Sequence, residues 1–228
     1  MADLSIIIPT LNAGGGLRRS LPPLASFNAL NLVHEVIFAD GGSTDETHEI
    51  AVAAGARVVT AKRGRGQQLA AAAAVAKGRW LLFLHADTSL EPRWHEFVWA
   101  FMHKEKNNQR AGFFSFKLDD NRKRARVLEI FVALRIALFR LPYGDQGLLI
   151  SRDFYRKIGG FKPLPLMEDI DIVRRIGRPR LVHLPRNAVT SAERYRRDGY
   201  LWRPLRNFFC LSLYFLGVHP RVIVKIYE

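Results

Sequence analysis

Short apolar runs alternate with helix-like stretches through the first half of the chain. Leu4 to Ile8, Val33 to Ala39, Arg57 to Thr60 and Trp80 to Leu84 read as strands, and Leu17 to Leu30, Thr44 to Ala54 and Gln67 to Ala76 as the helices between them. The run Trp80 to Leu84 is apolar at every position, as in a strand covered on both faces. Such alternation predicts an α/β fold with a mostly parallel central sheet flanked by helices. The second half is less regular. Phe113 to Leu118 and Leu148 to Ile150 are strand candidates, and Arg126 to Arg140 has apolar residues at helical spacing interrupted by Glu129 and Arg135. Gly159-Gly160-Phe161 is a turn, and Pro165 to Ile176 reads as a helix. From Arg194 to Arg206 basic and aromatic residues interleave, and Phe208 to Val218 is apolar. The expected division is a domain over residues 1–190 with a basic and apolar C-terminal helical extension, 191–228, packed on or beside it.

Composition narrows the partners. Lys and Arg number 35 against 21 Asp and Glu, a net charge of +14, which favours an anion: a nucleotide phosphate, nucleic acid or acidic lipid. Cys210 is the single cysteine, so no internal disulfide forms and a reducing compartment is expected. Met1 to Ile8 lacks the basic region and long apolar stretch of a signal peptide. The tract Phe208 to Val218 is shorter than the roughly 20 residues that span a bilayer. The expected location is cytoplasmic, with peripheral attachment to the inner face of an anionic membrane through the basic tail as an option.

In open α/β sheets ligands bind beyond the carboxyl ends of the strands, so the residues that follow each apolar run carry the chemistry. They are Pro9-Thr10-Leu11-Asn12, Asp40-Gly41-Gly42-Ser43-Thr44-Asp45, Lys62-Arg63-Gly64-Arg65-Gly66 and His85-Ala86-Asp87-Thr88. Asp40 can accept hydrogen bonds from a nucleobase or ribose, with Gly41 allowing close approach; the same segment also reads as a plain strand-to-helix turn capped by Ser43 or Thr44. Gly64-Arg65-Gly66 at a helix start, beside Arg63, favours a phosphate. Neither a Gly-x-Gly-x-x-Gly fingerprint nor a Gly-x-x-x-x-Gly-Lys-Ser/Thr loop occurs, which counts against nicotinamide enzymes and P-loop NTPases. Strand alternation puts His85 and Asp87 on one side, where Mg²⁺ or Mn²⁺ can bridge a carboxylate and a diphosphate, although an Asp opening a turn has the same local pattern.

In Pro165-Leu166-Met167-Glu168-Asp169-Ile170-Asp171, an acidic first turn suits the helix dipole. Helical spacing puts Asp169 on the face of Ile172, Val173 and Ile176, with Glu168, Asp171 and Arg175 pointing elsewhere. A carboxylate on an inward face at a helix end suits a general base in a pocket.

These rim segments, in this order and followed by Gly159-Gly160-Phe161 and Glu168-Asp169, closely resemble family 2 glycosyltransferases of the GT-A fold, a Rossmann-like nucleotide-binding fold, over roughly residues 4 to 180. The combination of Gly144-Asp145-Gln146-Gly147, Gly159-Gly160-Phe161, Pro165-Leu166-Met167-Glu168-Asp169 and the His85-Ala86-Asp87-Thr88 variant further resembles a small bacterial subgroup linked to arsenosugar biosynthesis. The resemblance implies that Pro9, Thr10, Asn12 and Asp40, with Gly41, Ser43, Arg65 and His85, bind the nucleotide of a nucleoside-diphosphate sugar. It implies further that Asp87 holds the divalent metal and that Asp169, with Glu168 adjacent, is the catalytic base for an inverting hexosyl transfer to a hydroxyl on a small molecule or lipid. His85 stands where the family has its first Asp, which leaves that contact open. Asp145 and Gln146 are candidates for the acceptor side, and Arg196, Arg197 and Arg203 for the diphosphate. Two other classes compete: nucleotidyl transfer on a similar scaffold, which needs no base at Asp169, and a basic module binding a membrane or nucleic acid, the last being disfavoured.

Overall fold

A computed structural model describes residues 3–24 and 32–227 of the 228. Its centre is an eight-stranded sheet in the order β3-β2-β1-β4-β7-β6-β8-β5. β1 (Leu4–Thr10), β2 (Val33–Asp40), β3 (Arg57–Thr60) and β4 (Trp80–Phe83) pair in parallel. The other half is mixed: β7 (Leu148–Ser151) runs antiparallel to β4 and to β6 (Ala111–Leu118), and β8 (Leu181–Thr190) runs parallel to β6. At the far edge β5 (Thr88–Leu90) pairs antiparallel with β8. The chain leaves β1 for β2 on one side and returns to β4 on the other, so a crevice opens beyond the ends of β1 and β4.

The apolar runs form strands because their side chains alternate between two cores. Ile7, Leu81 and Phe83 face one layer with α3 (Arg65–Val75) and α7 (Glu168–Ile176). Ile6, Ile8, Trp80 and Leu82 face the other, which contains Leu17 of α1 (Gly14–Ser20), Ala51 of α2 (Thr47–Ala53) and Trp94 of α4 (Trp94–Met102). The sequence-based helix from Leu17 to Leu30 is shorter and earlier than expected: α1 ends at Ser20, and 25–30 lie outside the described residues. α4, β5 and β8 escape the hydrophobic pattern altogether.

Past the sheet come α5 (Lys123–Phe139), α6 (Arg152–Lys157), α8 (Glu193–Asp198), α9 (Trp202–Phe215) and α10 (Pro220–Tyr227). Cys210 and Leu211 of α9 and Ile223 of α10 are buried in the same core as α3 and α7, which brings the end of the chain over the carboxyl edge of the sheet. Among the described residues no helix is long and apolar enough to cross a membrane.

Candidate active site

The loops after β1 and β2 are fastened to each other by polar side chains. Thr10 Oγ1 donates to Asp40 Oδ1 at 3.0 Å, and the amides of Gly42 and Ser43 donate to Asp40 Oδ2 at 3.0 and 2.9 Å. Burial raises the Asp40 pKa, but these bonds and one from the Ser43 hydroxyl outweigh it and hold the carboxyl below its usual range. Asn12, in the left-handed region at φ 49°, accepts from the Thr44 amide at 2.9 Å, and its own amide donates to Ser43 Oγ at 2.9 Å. The Gly14 amide donates to Asp45 Oδ2 at 3.0 Å. From behind, buried Gln68 of α3 donates to the carbonyls of Thr10 and Ala39 at 2.7 and 2.8 Å, a tie that carries no sequence signature. Asp40, Gly41 and Ser43 thus shape the rim from beneath, while Pro9, Thr10, Asn12, Arg63, Gly64 and Arg65 line the open cavity in front of it, about 630 Å³. Gly64, at φ 130°, turns the chain so that Arg65 opens α3.

A second, smaller chamber of about 110 Å³ adjoins the first, and both are lined by Arg65, His85, Asp87 and Arg194. Its acidic wall comes from two elements. Met167, held at φ 65°, aims the first turn of α7 inward. Asp169 Oδ1 accepts from the Ile170 amide at 2.8 Å and Oδ2 from the Gly144 amide at 2.9 Å. A Cβ on Gly144 would sit 2.5 Å from His85 Nε2 and 3.5 Å from Asp169 Oδ2, so the absence of a side chain there is what lets the two groups approach. Glu168, which helical spacing turns outward, is instead buried, 3.4 Å from Arg65 Nη1, because α3 packs over that side of α7. Burial pushes the Glu168 carboxyl up to about 7 and that of Asp145 to about 6, the Arg65 and Arg135 guanidiniums only partly offsetting it. Asp145 Oδ1 has no hydrogen-bond partner among the described residues. For His85, burial and then the Arg65 charge push the imidazole down to about 3, which keeps it neutral and able to ligate.

The remaining candidates separate. Arg203 lines the smaller chamber, together with Arg194, Tyr195 and Tyr227. Arg196 instead pairs with Asp119 and Asp120 at 3.8 and 3.4 Å, and Arg197 with Asp198 at 2.7 Å, outside either chamber. Gln146 is fully buried: it donates to the Phe114 carbonyl at 2.9 Å and accepts from Arg135 at 3.2 Å. Asp171, which helical spacing also turned outward, is buried between Lys162 and Arg175. Arg194 is the residue that sequence reasoning missed, 3.8 Å from Asp87 Oδ2.

No group of three or more His, Cys, Asp or Glu side chains converges among the described residues in a way that could hold a metal alone. Asp87 and neutral His85 line both chambers, so one carboxylate and one imidazole are the protein donors on hand for a divalent cation that also binds ligand phosphates; the carboxylate suits Mg²⁺ or Mn²⁺ and the imidazole is the less usual partner for Mg²⁺.

The model of glycosyl transferase family 2 matches residues 5–164. Glucosyl-3-phosphoglycerate synthase of Mycolicibacterium paratuberculosis is 34% identical over 96 residues, 37% of this chain and 28% of that enzyme. The PGL/p-HBAD biosynthesis glycosyltransferase of Mycobacterium tuberculosis is 39% identical over 93 residues, 38% of this chain and 36% of that one. The matches thus span about a third of the curated relatives' own lengths. Among solved structures, glucosyl-3-phosphoglycerate synthase from Mycobacterium tuberculosis, in complex with Mn²⁺, UDP and glucosyl-3-phosphoglycerate, superposes with a TM-score of 0.60 at 21% identity, covering 83% of this chain and 71% of that one. Mannosyl-3-phosphoglycerate synthase from Rubrobacter xylanophilus gives 0.64 at 16% identity, covering 95% and 76%. The architecture is that of the GT-A fold.

Proposed function

The chain belongs to glycosyl transferase family 2, and from that premise we propose that it moves a hexose from a nucleoside-diphosphate sugar to a hydroxyl acceptor with inversion. The observation that carries this is the junction of the chambers, where His85 and Asp169 meet over Gly144 and Asp87 lines both a nucleotide-sized cavity and a smaller acidic one. The nucleoside lies along Pro9, Thr10 and Asn12 on the rim fastened by Asp40. The diphosphate meets Arg63, Arg65 and the start of α3, and the anomeric carbon reaches the junction. Asp87, with His85, would hold Mg²⁺ or Mn²⁺, which when bound supplies a Lewis acid against the charge of the leaving diphosphate. Asp169, oriented by the Gly144 and Ile170 amides, keeps lone pairs free to take the acceptor's proton as its oxygen attacks the face opposite the leaving group. The complexes with UDP and Mn²⁺ formed by the mycobacterial neighbour support this reading.

Residues 191–228 act as an extension that closes the site, with Arg194, Tyr195 and Arg203 on its wall. A reducing, cytoplasmic setting suits the lone, buried Cys210. The narrower acceptor class, an arsenosugar precursor, rests on the motif combination of Gly144 to Gly147 with His85 to Thr88. A thermal-shift panel of UDP, GDP, TDP and their sugars with and without Mn²⁺ tests the donor site. A metal-dependent rise with one nucleotide and its sugar is expected; no metal-dependent shift with any of them sinks the assignment, and pyrophosphate release from a nucleoside triphosphate and a sugar phosphate would replace it with nucleotidyl transfer.

A further inference from the structure

α5 and α9 leave an apolar surface that the fold does not cover. Along α5, Val127, Ile130, Phe131, Leu134 and Leu138 recur at helical spacing on the exposed side, Leu138 being 67% exposed, while Ala125 and Leu128 occupy the buried side. A helix apolar on both sides needs a second apolar environment. α9 has the same problem: Leu205, Phe208 and Phe215 are exposed, with Trp202 at 74% before them and Leu216 at 81% after. The two helices share a groove of about 690 Å³ running between Phe139 and Phe215, and Tyr143 and Leu211 line both this groove and the smaller chamber of the active site.

The charge on this surface identifies what covers it. Arg135, Arg140, Arg174 and Arg178 line the groove, no Asp or Glu does, and none of the four forms an ion pair among the described residues; Arg135 turns inward to Gln146 and the Tyr143 ring, which leaves the exposed Arg140, Arg174 and Arg178 as the groove's outward cations. Arg174 lies over the rings of Tyr214 and Phe215 instead, at 5.8 and 5.1 Å. A second copy of this chain seated here would set cations against cations. A layer with apolar tails beneath anionic headgroups meets both features at once. The basic stretch 194–206 is a poorer candidate, since Arg194, Arg196, Arg197, Arg203 and Arg206 are all paired with carboxylates.

We propose that the α5 and α9 face is a docking surface for an anionic phospholipid bilayer, with Phe131, Leu138, Phe208 and Leu216 bedded among acyl chains and the groove arginines at the headgroup level. The proposal moves the membrane attachment expected from the basic tail onto this face, and rests on the functional reading only for the role of the chamber that the groove adjoins. The test is co-sedimentation of the full chain with phosphatidylcholine vesicles, plain or doped with phosphatidylglycerol, alongside the nucleotide thermal shift on the same samples. Binding to doped vesicles at least about 10-fold above plain ones is expected. Phe131→Asp with Leu138→Asp, and separately Phe208→Asp with Leu216→Asp, should each lower it about 10-fold or more while the nucleotide shift persists. Arg140→Glu with Arg178→Glu should lose the preference for doped vesicles. Equal binding to both vesicles, binding indifferent to all three variants, or a dimer in light scattering that the Asp variants dissolve overturns the proposal. Lipid binding without a nucleotide shift would leave docking standing and count against the donor reading alone.

Discussion

The two acidic rims of the crevice hold their carboxylates in opposite states. On the β1 and β2 side, Asp40 and Asp45 accept several hydrogen bonds each, and both titrate below the usual range. On the α7 side, Glu168 and Asp145 are enclosed with too few partners, and burial drives both upward. The first rim is already satisfied and holds its shape without a ligand. The second leaves Asp145 Oδ1 and Glu168 Oε1 without a hydrogen-bond donor among the described residues despite the arginines nearby, a donor that an acceptor hydroxyl or a bound water would supply. The carboxylates of the two rims are therefore told apart by their hydrogen-bond partners, and Asp169, which accepts from the Gly144 and Ile170 amides, stands between the two groups.

Removing the proposed base breaks the comparison at its most sensitive point. Asp169→Asn keeps the shape and the Gly144 contact but takes no proton, so transfer should fall by about 10² to 10⁴-fold while nucleotide binding persists, as measured by product formation beside the thermal shift. A loss of less than about 10-fold would move the base elsewhere. Next is the satisfied rim. Asp40→Ala leaves Thr10, Ser43 and two amides without their acceptor and should cost about 3 kcal/mol in urea denaturation, whereas Asp145→Asn, which removes a buried charge that Arg135 and Arg65 only partly offset, should leave stability level or raise it.

The satisfied rim was the part most open to sequence reading. Leu4 to Ile8, interrupted only by Ser5, and the unbroken Trp80 to Leu84 are apolar runs that each end in a polar segment, so strand ends and candidate ligands could be read together. β8 escaped because its pairing with β6 slips between Phe114 and Ser115: His183 and Leu184 pair before the slip and Asn187 after it, with Pro185 and Arg186 in the irregular stretch. An irregularity there breaks the period of two on which strand reading depends. The α7 rim depended on tertiary contacts. Helical spacing identifies the side facing the α7 core but cannot register that α3 brings Arg65 over Glu168, or that the short α8 turns Arg194 to Asp87 and Arg196 to Asp120.

The pH dependence of stability sharpens the contrast because its sign differs between rims. Asp40, depressed in the fold, contributes stability that is present above its unfolded pKa and is lost as the solution is acidified. Glu168 does the reverse. Its carboxyl moves from 4.5 unfolded to about 7 folded, so the folded state binds the extra proton, and its contribution is full below pH 4.5 and lost as pH rises through 7. Glu168→Gln should therefore be stabilised relative to the parent at pH 8 by about 2 kcal/mol more than at pH 5, in paired urea titrations. A difference of the opposite sign would mean that the Arg65 pairing outweighs burial.

The smallest expected effect concerns Arg194, whose side chain is half exposed and stands 3.8 Å from Asp87. On the proposed reading, Asp87 without a divalent ion repels an incoming diphosphate, and Arg194 is the cation paired with it to offset that repulsion. With Mn²⁺ bound, the metal neutralises Asp87 directly and the arginine has less left to do. Arg194→Ala should therefore weaken binding of the nucleoside diphosphate selected by the thermal-shift panel about 5-fold in metal-free buffer, roughly 1 kcal/mol, and about 2-fold or less with saturating Mn²⁺, by calorimetry in both conditions. Equal losses in both would make Arg194 a diphosphate contact in its own right. No loss in either would make the pair with Asp87 incidental and leave Arg65 and Arg203 as the arginines of the smaller chamber that meet the diphosphate.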